Sequence, residues 1–161
     1  RPLMGGSPSR AGYRVPRLSR YLGAWIRSTD WYPDYQLRLY DRRQGQWEGR
    51  YVHESVKVRG QAGDLASDLH HYTYRDVSHH LQTIDRYTTL AARQMFEDGR
   101  RAGVRHLCVN PIAAFLRNYL VRAGFRDGRA GLIVSLLNSY YVLLKFVKLF
   151  ELQQKGPGTA V

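Results

Sequence analysis

The stretch WEGRYVHES, Trp47 to Ser55, sets an imidazole beside a carboxylate at His53 and Glu54, side chains suited to holding a metal and moving a proton. A zinc protease needs a second histidine one helical turn on, in the order H-E-x-x-H, and Lys57 stands there instead. That chemistry is excluded. The pairs His70-His71 and His79-His80 cannot offer both members to one ion, because adjacent side chains diverge on a strand or a helix, although one of each could serve. Solvent-facing or structurally hydrogen-bonded imidazole is the plainer reading of His70, His79, His80 and His106. Cys108 has no clear histidine partner and reads as a buried, inert thiol. No G-x-G-x-x-G, P-loop or G-x-S-x-G occurs, so neither those nucleotide sites nor an α/β-hydrolase nucleophile is supported.

The elements that must position these groups are uneven in legibility. YQLRLY, Tyr35 to Tyr40, alternates strictly and predicts a half-buried strand, with Tyr35, Leu37 and Leu39 inward and Gln36 and Arg38 displayed together. A strand that shows Arg beside Gln can grip a phosphate or a sugar hydroxyl through the guanidinium fork; a surface ion pair is the alternative. DRRQGQ is turn chemistry, and YVHESVKV is a second strand on which His53 and Glu54 face opposite ways unless a bulge intervenes. Tyr13 to Trp31 mixes apolar groups with arginines in neither period and reads as irregular with short strands. LASDLHHYTY is ambiguous between helix and strand.

The second half is helical by pattern. Asp76 caps a helix to about Asp98, with Val77, Leu81, Ile84, Thr88, Ala91 and Met95 on one stripe and Gly99 as the stop. Asn110 and Pro111 look like the cap and first residue of a second helix, whose apolar face is Ile112, Phe115, Leu116, Tyr119 and Leu120. A third begins after Asp127-Gly128 and runs to about Gln154. Between Arg129 and Lys145 it carries no charge, yet the run is shorter than the roughly 20 apolar residues that span a bilayer. Two uses fit it: a buried or oligomer-forming helix, or one lying in a membrane interface with Lys145 and Lys148 at anionic headgroups. The organisation expected is a flexible lead-in (1–12), a strand-rich part (13–75), a helical region (76–154) and a tail (155–161).

Twenty-five Lys and Arg against 13 Asp and Glu give a charge of +12, attractive to nucleic acid, anionic membrane or sugar nucleotide alike. Nucleic acid is disfavoured, since the basic residues are scattered and no zinc-finger or RNP signature is present. One cysteine excludes an internal disulfide and fits a reducing compartment. Residue 1 is Arg and no signal-peptide pattern follows, so a fragment or processed product is expected.

The segments YRVPRLSRYLGAWIRSTDWYPDYQLRLYDRR, GQWEGRYVHESVKVRGQAGDL, LHHYTYRD, DRYTTLAA and NPIAAFLRNYLVRAGFRDGRAGL, with YYVLLKFVKLFEL, resemble the C-terminal part of bacterial family 2 glycosyltransferases. The lipopolysaccharide core type is the nearest group. The resemblance covers residues 13 to about 154, and its most specific pieces are W-Y-P-D-x-Q-x-R-L, V-H-E and G-F-R-D-G. It implies a GT-A fold, α/β in the whole enzyme and α+β in this stretch, with a few short strands followed by three helices.

The resemblance also implies inverting transfer from a nucleotide sugar to a lipid-linked saccharide such as lipopolysaccharide core, with a divalent metal, Mn or Mg, on the diphosphate. Asp34, Gln36 and Arg38 then match a region lining the donor sugar and acceptor cleft. His53 becomes the metal ligand and Glu54 the base or hydrogen-bond partner of an acceptor hydroxyl. No D-x-D occurs in the sequence, so most metal ligands would lie outside it and the stretch alone should be inactive. The implied partners are a nucleotide sugar, a glycolipid and an anionic membrane, at the cytoplasmic face of the bacterial inner membrane, with homo-oligomer formation another use of the last helix. The non-enzyme alternative is a basic membrane-surface binding or interaction module.

Overall fold

GYRVPRLSRY forms a strand, β1 (Gly12–Tyr21), at the centre of a five-stranded sheet. The computed structural model describes residues 10–50 and 52–155, giving the backbone alone for residues 49, 50 and 52–54. Antiparallel to β1 run β2 (Ala24–Ile26), after a two-residue turn, and β3 (Asp34–Tyr40). Two shorter strands, β6 (Ala62–Asp64) and β7 (Leu69–Tyr72), run parallel to it. Arg17 pairs with Asp34 of β3 and with Leu69 of β7, so those strands lie on opposite edges of β1. Pro16 is tolerated in this central strand because the β6 and β7 pairings break at Val15 and Pro16, where no N–H is needed on that edge.

A short strand expected within Tyr13 to Trp31 is present as β2, and a 3-10 turn follows at Thr29–Trp31, but the irregular first part is corrected to a long strand, β1. Its period is hidden because Leu18 and Ser19 are both buried in succession, one on each face. Its arginines are matched by carboxylates: Arg14 forks onto Asp64 at 2.7 and 3.0 Å, and Arg17 Nε donates to Asp34 at 2.8 Å. The expectation for β3 also changes. Tyr35 and Leu39 stay 44% and 47% exposed, while Asp34 and Gln36 are half-buried. Gly45 and Gln46, read as the end of the DRRQGQ turn, open a strand β4 (Gly45–Arg50) that forms a separate hairpin with β5 (Val52–Val58).

Helix α1 (Val77–Glu97) starts where its cap predicts, Asp76 accepting from the His79 amide at 2.7 Å, and ends just before Gly99. Its buried stripe is His80, Ile84, Thr88, Ala91, Ala92 and Met95; Val77 and Leu81, assigned to the stripe from sequence, are exposed.

Helix α2 (Val104–Leu116) begins well before Asn110-Pro111, so Pro111 is interior and forgoes one helical bond. A tertiary and a local contact fix this start: Gln153 Nε2 donates to the Ala102 carbonyl at 3.1 Å and its Oε1 accepts the Ala102 amide, while within the first turn His106 Nδ1 accepts the Gly103 amide at 3.1 Å. The helix runs on through a π turn at Arg117–Val121. The predicted core face is also wrong in part, since Ile112, Leu116 and Leu120 are exposed, as is Cys108, expected to be buried.

Helix α3 (Gly128–Lys155) packs its first half on the sheet, where Ala130 and Val134 meet Tyr21 and Ile26. Its second half joins α1 and α2 around Ala92, Met95, Ala102, Phe146 and Leu149. Gly131 is required at the α3 entry because a Cβ there would stand 1.9 Å from the Gly124 carbonyl oxygen. Lys148 is not a headgroup lysine: its side chain is 17% exposed, and Nζ donates to the Asp85 carboxylate at 2.7 Å and to Thr89 Oγ1 at 2.7 Å. The segment Gly124–Lys155 contains an 18-residue stretch with a mean hydropathy of 1.6, and so has the length and composition to cross a membrane, contrary to the shorter estimate from the uncharged run. In the fold its inner face is taken by α1, α2 and the sheet, and its outer stripe (Leu132, Leu136, Tyr140, Val147, Phe150) is exposed.

Candidate functional site

Strand periodicity and register bring Asp34 and Gln36 to one face of the sheet, with Asp34 opposite Arg17. Arg38 falls at a bulge, unpaired between Leu37 and Leu39, and is near enough to His71 to act on its charge. Ser19, two residues after Arg17, is in register with His71 of β7, which puts His71 on that face too. The contacts agree with the register. Asp34 accepts from Arg17 and, at 2.6 Å, from Gln36 Nε2, so its carboxylate acts as a clamp on two donors. Burial pushes the His71 imidazole below its usual range, and the nearby Arg17 and Arg38 guanidiniums push it further against the opposing pull of Asp34. His71 is therefore neutral at pH 7 and able to accept as well as donate.

Between this face and α1 lies a cleft of about 610 Å³. Arg17, His71 and Thr73 line it from the sheet side, and His79, Gln82 and Arg86 from α1. Tyr74 and Tyr87 supply aromatic walls. The helix presents His79, Gln82 and Arg86 together because they are three and four residues apart. Arg86 lies over the Tyr87 ring at 5.2 Å. Thr73 Oγ1 is buried and has no hydrogen-bond partner among the described residues. His79 Nδ1 accepts the Arg75 amide at 3.4 Å, which leaves Nε2 as its donor nitrogen.

Each histidine pair is divided by the fold. His71 and His79 reach the cleft, whereas His70 packs on Trp25 with centroids 4.4 Å apart on the other face of the sheet. His80 is buried behind the cleft, where its Nδ1 lies 2.9 Å from the Tyr21 hydroxyl and its ring stacks on Tyr74 at 4.0 Å. Burial first, and then His79, lower the His80 pKa to about 4. Beyond it a smaller cavity of about 120 Å³ shares the Tyr74, Thr83 and Tyr87 walls and reaches Trp31, Asn138 and Tyr141.

His53 and Glu54 lie on the backbone of β5, and their side chains fall outside the described residues. The β4–β5 pairing runs in register from Gly45↔Val58 to Glu48↔Ser55, then shifts so that Arg50 faces Val52. His53 and Glu54 thus oppose Gly49 at a bulge, where strict alternation no longer forces them apart. The Cα trace of β5 approaches both β3 and α1, the elements that flank the cleft.

Among the described residues no group of three or more His, Cys, Asp or Glu could hold a metal ion. Asp34 is already committed to Arg17 and Gln36. These residues do not by themselves fit a divalent cation.

Sequence reasoning gave no role to Arg17, Thr73, Gln82 and Arg86, although Arg17, Thr73 and Arg86 stand inside segments that carry the resemblance. The doubled histidines pointed to the place, with one member of each pair free to serve. Comparison with known proteins bears out the resemblance carried by the motifs. The chain is 26% identical over 151 residues to the lipopolysaccharide core biosynthesis glycosyltransferase LpsC of Rhizobium meliloti. That match takes in 92% of this chain and 56% of LpsC, so the chain spans about half the length of the curated relative it matches. No family model and no solved structure matches it. Over nearly its whole length, the chain is similar to part of a lipopolysaccharide core glycosyltransferase.

Proposed function

We propose that the chain is the acceptor-side part of a family 2, inverting glycosyltransferase that moves a sugar from a nucleotide sugar to a lipid-linked saccharide of the lipopolysaccharide core type. The observation that carries this reading is the continuity of Asp34, Gln36 and Arg38 with the cleft, through the Arg17 clamp, in a chain similar to LpsC. In inverting transfer an acceptor hydroxyl attacks the anomeric carbon from the side opposite the departing nucleotide diphosphate. The hydroxyl proton must be accepted as the bond forms, and Glu54 is the proposed base. Arg38 and Gln36 orient the diphosphate and sugar hydroxyls by charge-assisted and neutral hydrogen bonds. His53 is the ligand this chain would contribute to a divalent cation, which neutralises the diphosphate charge when bound.

A lipid-linked acceptor also gives a purpose to the apolar surface. Ile112, Leu116 and Leu120 of α2 and Leu132, Leu136 and Val147 of α3 are exposed, and Arg126 and Arg129 lie at the α2–α3 turn. That pairing of apolar stripe and cationic end suits the anionic cytoplasmic face of an inner membrane, with the protein lying on it rather than crossing it. The test is transfer by the longer protein that contains this chain. Arg38→Ala and His53→Ala are expected to lower turnover by orders of magnitude with folding intact. Wild-type turnover in both would remove them from the site.

A further inference from the structure

We infer that the cleft between β7 and α1 is an anion-recognising acceptor subsite, built for a sugar that carries a phosphate or a carboxylate. The inference rests on the glycosyltransferase reading for its occupant, but its chemistry is read from the cleft alone. Arg17, Arg38 and Arg86 against Asp34 leave two positive charges in excess on and beside the cleft. No carboxylate lines it among the described residues. Arg86 has no ion-pair partner among the described residues, so its fork is free to close on an oxyanion.

Two further observations point inward. His71, kept neutral by burial first and then by Arg17 and Arg38, and His79, with Nε2 as donor, add directional groups without adding repulsion between fixed cations. Tyr74 and Tyr87 provide the apolar walls against which the C–H face of a sugar ring packs, and about 610 Å³ is room for such a ring with its charged substituent. The bulged part of β5 that bears His53 and Glu54 belongs to a strand that approaches α1, so an anchored acceptor would be held beside the proposed base.

Titration of the 161-residue chain, followed by the imidazole signals of His71 and His79, tests this. The probes are inorganic phosphate, glucose 6-phosphate, glucuronate and glucose. The two anionic sugars are expected to shift both imidazoles at millimolar concentration, with glucose producing no shift. If the phosphate sugar binds at least tenfold tighter than glucuronate, the natural substituent is phosphate; the reverse order assigns a carboxylate. Arg86→Gln is expected to weaken binding about 10- to 100-fold, the loss of one charge-assisted hydrogen-bond pair. Arg101→Gln, remote from the cleft, should leave it unchanged. Equal shifts by glucose and its 6-phosphate, or equal weakening by Arg86→Gln and Arg101→Gln, would overturn the subsite and reduce the effect to net charge. If these fail while the longer protein still transfers sugar, the anionic acceptor is wrong and the transferase reading stands. Binding as expected with no transfer by the longer protein would sink the transferase reading instead.

Discussion

The wall of the cleft depends on a histidine that must stay neutral, and acid should undo it. His80 is buried between Tyr21 and Tyr74, and its pKa falls from 6.5 to about 4. The folded protein then binds fewer protons at this site than the unfolded chain does. Stability is therefore complete above pH 6.5, declines as the pH falls through that value, and has lost the whole contribution below about pH 4. With one unit worth about 1.4 kcal/mol, the full loss is about 3 kcal/mol, of which about 2 kcal/mol falls between roughly pH 7.5 and pH 5. His80→Phe keeps a ring against Tyr74 and removes the titration, at a pH-independent cost of about 1 kcal/mol for the unpaired Tyr21 hydroxyl. Urea unfolding of both proteins at the two pH values reads the difference directly. The wild-type protein should lose about 2 kcal/mol more than the variant on acidification, since His71 and the other groups contribute equally to both. Parallel losses would refute the claim that His80 is held neutral by burial.

Gly131→Ala should cost about 3 kcal/mol, because the added methyl collides with the Gly124 backbone rather than with a movable side chain; an unchanged thermal midpoint would contradict the close approach. Lys148→Met should lower stability by about 1 kcal/mol through its lost bonds to Asp85 and Thr89, yet leave vesicle binding unaltered. Weakened vesicle binding with unchanged stability would return Lys148 to the membrane surface. Cosedimentation with anionic vesicles should weaken as salt rises and fall sharply in Leu136→Glu. Equal partition into neutral and anionic vesicles at every ionic strength, with no effect of the glutamate, would exclude docking by the α2–α3 face.

How much of this was legible beforehand varies by element. The limits of α1 were written locally, in the Asp76 cap and the Gly99 stop, and β3 was visible in its alternation. The motifs W-Y-P-D-x-Q-x-R-L and V-H-E pointed to the resemblance that LpsC bears out. Local chemistry is readable where a segment's own residues settle its conformation. In β1 they do not: its neighbours β3, β6 and β7 come from elsewhere in the chain, so its arginines look unpatterned until Asp34 and Asp64 are seen beside them. The start of α2 likewise depends on Gln153, at the far end of α3, which overrides the Asn110-Pro111 signal.

The sequence by itself determined a strand bearing Asp34, Gln36 and Arg38, two helix boundaries, a basic charge and a set of motifs. Only the tertiary structure decided which histidine of each pair meets the cleft, that Arg17 and Arg86 converge on it, and that Lys148 serves packing. Those outcomes rest on contacts between residues far apart in the chain, whose closeness follows from sheet register and helix packing rather than from any local spacing.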